Sequence, residues 1–335
     1  MDRGNTAFAA AVRVGVAVGL VLVVGGLIGH RDVAGFAALG ALTSAFCRAD
    51  PFPVRLPRLL VTGVIVTAYV ALGATLGAAG VSMTVEVVAI ALAAGLAALV
   101  LGALRVVGPG PVVMIFAAAG ALDFATTAGD VGRATVAAAI GAVVGVAASL
   151  APWLVSWLRG GDTDHASPAR ASLRSELRRM GQSERLIQSA RIVVACAVAA
   201  GIVVAAGLQH PMWAAMGAVA TLQGVTYHLT VRRGVQRLLG NLGGAVIAAA
   251  LLAVPINYWG VVLLIAVLQG LAEVLVTMNY ALCSLVVTPM ALLLTALGAG
   301  LTPHVAIDRV LDTAAGVVVA VVVAALTIAR HEVVG

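Results

Sequence analysis

Lysine is missing altogether: all 20 basic residues are arginine. That removes the Walker A loop, whose lysine reaches the nucleotide phosphates, and any pyridoxal enzyme, which needs a lysine Schiff base. Charge is scarce too, at 10% of 335 residues, against about 25% in soluble domains. With a mean hydropathy of +1.10, a soluble globular fold is excluded. The three cysteines, Cys47, Cys196 and Cys283, stand singly in or beside apolar runs. No Cys-x-x-Cys pair or zinc spacing is formed, and they read as small buried hydrophobes. No metal and no cofactor is expected. The chain is not expected to be an enzyme either: it has no Gly-x-Ser-x-Gly, and the terminal HEVVG lacks the second histidine of a zinc motif.

What the chain has instead is apolar length. Residues 14–29, VGVAVGLVLVVGGLIG, are unbroken, and further runs supply the roughly 20 residues needed to cross a bilayer core of about 30 Å. Lipid accepts only helices or closed barrels, because unpaired backbone groups are costly there. Barrel strands would alternate apolar with polar residues, so continuous runs predict helices. Twelve segments follow, at 6–28, 34–47, 59–78, 84–104, 111–125, 134–154, 190–208, 212–226, 238–255, 258–277, 280–298 and 309–329. Arg3 and Arg13 ahead of the first run are also what a signal peptide shows, but no polar cleavage region follows, so it reads as a span. A basic cytoplasmic linker, 159–189, separates a first unit, 1–158, from a second, 190–335.

Arginine positions orient the chain. With the N-terminus in the cytoplasm, Arg31, Arg133 and Arg309 lie outside and the other seventeen arginines inside, a strong positive-inside bias. The net charge of +6 is therefore a topology signal suited to anionic lipid headgroups, not a nucleic-acid surface. Arg232, Arg233 and Arg237 fall on a cytoplasmic loop in this reading.

The halves resemble each other. GFAALGALTSAF (35–46) parallels MWAAMGAVATLQ (212–223) at one ungapped offset that pairs Gly40 with Gly217, Arg55 with Arg232 and Gly63 with Gly240. An even number of spans per half makes the repeats parallel, with a pseudo-two-fold along the membrane normal. The expected fold class is an all-α membrane protein of about twelve transmembrane segments, two parallel six-helix repeats with both termini cytoplasmic. The second segment of each half is too short to cross at about 1.5 Å per residue. Matched short segments point to a binding site or pathway, or to tilted structural helices.

Several residues stand out on their own chemistry. Glu273 lies in an apolar span, where a charge costs about 2.5–3.5 kcal/mol on insertion scales. It reads either as a proton-coupling residue or as a carboxylate that snorkels or pairs with a loop arginine. Asp312, three residues after Arg309, suits a structural ion pair. Thr288 and Pro289 make a kink, either a gate or a tolerated irregularity. Glu86 and Asp123 read as interfacial, and Trp213 as an outer-interface aromatic. Arg55, Arg233 and Arg237 read either as orientation signals or as an inner basic vestibule, since arginine grips carboxylates bidentately and concentrates anions.

Three stretches resemble the fusaric acid resistance protein family. HPMWAAMGAVATLQ with TVRRGVQRLLGNLGGAV carries its His-Pro-x-Trp and Arg-x-x-x-Arg-x-x-Gly pattern, at Arg233, Arg237 and Gly240. AEVLVTMNYALCSLVVTPMALLL matches its Asn-Tyr and Thr-Pro segment, at Asn279, Tyr280, Thr288 and Pro289. DRVLDTAAGVVVA matches its closing segment, at Arg309, Asp312, Thr313 and Gly316. The resemblance is clear over 190–329 and weaker over 10–154. It implies an inner-membrane protein related to aromatic carboxylic acid exporters and, more distantly, to plant malate channels. It also draws Asn279 and Tyr280 toward a substrate role. The expected function is proton-coupled export of small, aromatic carboxylate-like anions. The alternatives are a passive organic-anion channel, or a non-transporting scaffold for an envelope partner. A homodimer, or an accessory partner docked on 159–189, fits either case.

Overall fold

The computed structural model describes residues 3–158, 183–208, 210–224, 226–299 and 305–327. The twelve expected segments are twelve helices: α1 (Arg3–Leu27), α2 (Arg31–Ala41), α3 (Phe52–Ala78), α4 (Met83–Ala103), α5 (Val112–Phe124), α6 (Ala128–Leu158), α7 (Ser183–Ala205), α8 (Pro211–Thr221), α9 (Tyr227–Ala253), α10 (Tyr258–Met278), α11 (Tyr280–Ala299) and α12 (Val305–Thr327). A 3₁₀ turn, Leu42–Ala45, prolongs α2. Among the described residues nine of the helices, all but α2, α5 and α8, are long and apolar enough to cross a bilayer. The chain is a multi-pass membrane protein.

The boundaries correct the hydropathy reading. α3, α6, α7 and α9 begin at 52, 128, 183 and 227, well before the apolar runs that marked them. Arg55, Arg58, Arg133, Arg185 and Arg191 therefore lie on helices, and Arg232, Arg233 and Arg237 lie on α9 rather than on a loop. Arginine is a good helix former, and Thr226 caps α9 by accepting from the Leu229 amide at 3.3 Å. Residues 183–189 of the expected linker belong to α7; 159–182 lie outside the described residues.

The short helices are sheltered by protein. Every residue of α8 is buried, as are eight of the eleven in α2. Backbone ends at membrane depth are tolerated when protein surrounds them. α2 packs on α1 and α6, and α8 on α7 and α12. α3 lies against α5 and α6, and α9 against α11 and α12. Across the halves, α4 packs on α7, α10 on α1, α2 on α11, and α5 on α8.

Small residues set these distances, as is usual where lipid gives helices no hydrophobic drive to associate. A Cβ on Gly141 would strike the Ala37 carbonyl, and one on Gly316 the Ala214 carbonyl. Polar ties are few but specific. The Tyr258 hydroxyl donates to the Leu22 carbonyl at 2.6 Å, joining α10 to α1. Ser189 donates to the Gly95 carbonyl at 2.8 Å, joining α7 to α4.

Candidate functional site

The polar residues of the second half form one strip along α9. Arg233, Arg237 and Asn241 recur every four residues and so share a face. Arg233 donates through Nε to the Ala220 carbonyl and through Nη2 to Gln223 Oε1, both at 2.7 Å. Its guanidinium lies 4.1 Å from the centroid of the Tyr280 ring, a cation–π distance. Arg237, buried, donates through Nη1 to the Tyr280 hydroxyl at 3.2 Å. Tyr280 thus engages both arginines, one on its face and one on its oxygen. Asn279 holds the start of α11 in place: its Oδ1 accepts from the Ala281 amide at 2.8 Å and from Gln236 at 3.4 Å.

Deeper in, the strip joins three helices. Ser284 donates to the Arg237 carbonyl at 3.3 Å. Thr288 shares its one hydroxyl proton between the Ser284 carbonyl at 2.8 Å and Asn241 Oδ1 at 3.0 Å. Asn241 Nδ2 in turn donates to the Arg309 carbonyl at 3.1 Å. α11 runs through Pro289 without a break. Gly244 lets α9 approach there, since a Cβ on it would meet the Leu285 carbonyl and Thr288.

The far end of the strip departs from expectation twice. Trp213, expected at the outer membrane surface, faces neither lipid nor water; it is 5% exposed and covered by Arg309, whose Cζ lies 4.9 Å from its ring centroid. Arg309 and Asp312 form no ion pair. The Asp312 oxygens and Arg309 Nε have no hydrogen-bond partner among the described residues. The guanidinium has turned to the indole because Trp213 offers a buried aromatic face, which attracts a desolvated cation. His210 stacks on Trp213 at 4.1 Å, and burial pushes its imidazole below its ordinary value.

The other arginine group gathers around Glu273. This carboxylate, 5% exposed on α10, accepts from Arg48 Nη1 at 2.6 Å and from Gln269 Nε2 at 3.1 Å. Arg48 follows the 3₁₀ turn after α2, so the pair ties the two halves together. Arg55 is spent on backbone: it donates to the carbonyls of Asp50, Arg48 and Ser149 at 3.0, 2.6 and 3.3 Å. Arg13 lies among Arg55, Arg48 and Glu273. Cys283 has Glu273, Arg233, Arg237 and Arg48 as its charged neighbours. Arg48 thus links Arg55, which donates to its carbonyl, to Glu273, which accepts from its guanidinium.

The first half carries polar residues on α3: Arg58, buried, pairs with Asp50 at 2.9 Å, and the Thr62 hydroxyl donates to the Arg58 carbonyl at 2.7 Å. The pairs of Arg133 with Asp32 and with Asp130 are partly exposed. Asp32 and Asp123 line a cavity of about 30 Å³ between α2, α5 and α11, room for a water. A groove of about 600 Å³ between α1, α2 and α6 has aliphatic walls, with His30 and Arg133 toward one end. Among the described residues no group of three His, Cys, Asp or Glu is placed to hold a metal.

Sequence reading missed Arg48, Gln223, Asn241 and Ser284. Only Asn241 carried a signal, its four-residue spacing from Arg237. Residues 196–323 match the model of the fusaric acid resistance protein-like family. Over 112 residues the chain is 34% identical to the uncharacterized membrane protein YvaC of Bacillus subtilis (strain 168). That match covers 32% of this chain and 17% of the length of YvaC. No solved structure matches the chain. The family match, from α7 into α12, includes the whole α9 strip.

Proposed function

We propose that this protein, whose second half matches the fusaric acid resistance protein-like family, is an inner-membrane transporter that exports small organic anions in a proton-linked manner. One observation carries the reading: the matched half buries Arg237 and Arg309 with Nε donors unused. Arginine in a membrane segment costs about 2.5–3.5 kcal/mol on insertion scales and is kept where it faces a path or a partner. Arg233 and Arg237, held at Tyr280, serve as the inner vestibule, and Arg55 shapes the neighbouring loop. A flat aromatic carboxylate suits a guanidinium fork beside an aromatic ring.

The Arg48–Glu273 bridge favours a second reading, a passive anion channel, since a carboxylate held by an arginine is a poor proton carrier. Liposomes loaded with aromatic and aliphatic carboxylates separate the two. Coupled export gives efflux that responds to an imposed pH gradient, and Glu273→Gln abolishes that response if Glu273 carries the proton. A channel gives efflux indifferent to both. Charge reversal at Arg55, Arg233 and Arg237 stops efflux in either case. Efflux that survives all three reversals removes the vestibule, and no efflux of any carboxylate removes transport.

We read the chain as two six-helix repeats, 1–158 and 190–335, about an axis along the membrane normal, with both termini cytoplasmic. In support, the main helix pairings recur when each helix number is raised by six: α1–α2 with α7–α8, α2–α6 with α8–α12, α3–α5 with α9–α11, and α4–α7 with α10–α1. A membrane-impermeant maleimide tests the orientation. Arg31→Cys will label from outside, and Arg232→Cys only after permeabilisation. Background is low, because Cys47, Cys196 and Cys283 are buried and burial pushes the Cys47 thiol up to about 12, which starves it of thiolate. Labels at both positions from one side sink the assignment.

A further inference from the structure

The second half contains a buried carboxylate without a partner among the described residues. Asp312 on α12 is 0% exposed, and neither of its oxygens has a hydrogen-bond partner there. The Thr313 hydroxyl beside it is equally buried and unpartnered. Among the described residues the charged groups around it are few. On its own helix they are Asp308 and Arg309. α8 has no titratable residue between Pro211 and Thr221; ahead of it stands His210, which lies near Asp308 and Arg309. α9 brings Arg237, near Arg309. α7 packs its Cys196 against the Ala215 carbonyl and sends Arg191 to the Thr327 carbonyl at the other end of α12.

Arg309 is three residues from Asp312, a spacing from which a helix can form an ion pair, yet it rests on Trp213 instead. A buried charge without a partner is a state that proteins avoid by pairing it or neutralising it. With Arg309 turned away, the arrangement is that of a neutral acid beside an unused cation. Glu273 is buried as well but differs in its partners, since both its oxygens are engaged.

We propose that Asp312 is the proton site of this transporter, and that Arg309, with Arg237, is the carboxylate site it controls. This rests on the transport reading. While Asp312 holds its proton, Arg309 and Arg237 present their spare N–H groups to a substrate carboxylate. When the Asp312 O–H bond breaks, the electron pair stays on the carboxylate and the proton passes to water. Arg309 then leaves the indole for Asp312, and the substrate loses its partner. Proton and anion occupy the site together and leave together, so one proton accompanies each carboxylate in the same direction. The pair crosses with no net charge, so the anion's outward gradient drives export and an inward proton gradient opposes it.

Two spectroscopic readouts test this without any substrate. In the full-length protein in nanodiscs, infrared difference spectra between low and high pH should show a protonated carboxyl stretch that Asp312→Asn removes and Glu273→Gln leaves. With Trp153, Trp157 and Trp259 replaced by phenylalanine, Trp213 emission should titrate with pH as Arg309 moves off its ring, and Asp312→Asn should flatten that titration. A stretch removed by Glu273→Gln instead, or Trp213 emission indifferent to pH with Asp312 intact, overturns the proposal. The second readout stands even if the Asp312 variant does not fold. A titration that holds while liposome efflux is absent sinks the transport reading and leaves the proton site. Efflux with no titration does the reverse.

Discussion

Replacing Arg48 with methionine will destabilise the protein by about 3–5 kcal/mol at neutral pH, the usual cost of removing one partner from a buried ion pair. The side chain of Glu273 is 6% exposed and that of Arg48 27%, so the abandoned carboxylate, not the lost arginine, carries the penalty. Gln269 remains on Oε1, but one amide does not balance a charge. The carboxylate finds relief by taking a proton, which at pH 7 costs about 4 kcal/mol from the ordinary glutamate value. The sign follows. In the variant the folded state holds a proton that the unfolded chain has released, so stability falls as pH rises and returns as pH drops toward the ordinary carboxylate range. The double variant R48M/E273Q should recover most of the loss and lose the pH dependence. Thermal melting in detergent at several pH values checks this. A single variant no less stable than the double would show that the bridge holds nothing.

Gly316→Ala will cost as much as a disruptive core substitution although it adds one methyl. The new Cβ would strike the Ala214 carbonyl and lie 2.9 Å from the Ala218 amide nitrogen. These are backbone atoms of a helix buried on every side, so no side chain can rotate away and α8 and α12 must part. Overpacking typically costs about 1–3 kcal/mol, and the upper end applies here. Gly201→Ala on α7 is the control: its Cβ would meet nothing within 4 Å. Alanine in place of a helical glycine should there stabilise by up to about 1 kcal/mol. Melting temperatures moving in opposite directions satisfy the prediction, and a neutral Gly316→Ala refutes it.

The helical kind of the elements, and the places of the twelve helices among the described residues, were legible because lipid demands continuous apolar helices; nine of the twelve are long enough to cross. Their starts were not legible. Hydropathy loses sight of a helix whose first turns are polar, and α9 spends its first three turns on YHLTVRRGVQR before the apolar run begins. The site was half legible. Arg233, Arg237, Asn279 and Tyr280 announced themselves as polar residues beside apolar runs, though the meeting of the two arginines at the Tyr280 phenol depends on how α9 and α11 pack. The partner of Glu273 lies 225 positions away, and no local pattern connects the two. Trp213 misled for a physical reason: an aromatic at the end of an apolar segment serves a membrane surface or a buried cation equally well, and only the position of α12 decides between them.

The burial of α8 has a consequence for how the protein is made. Eleven residues, a rise of about 17 Å, are too few to enter a bilayer as an independent span. The helix needs a place already lined by protein, and α12, one of its principal neighbours, leaves the ribosome after every other helix described. α8 must therefore wait, through the synthesis of α9, α10 and α11, for the last wall of its own compartment. A nascent chain interrupted before Val305 leaves that helix bare on one side, and cellular quality control meets it in that state.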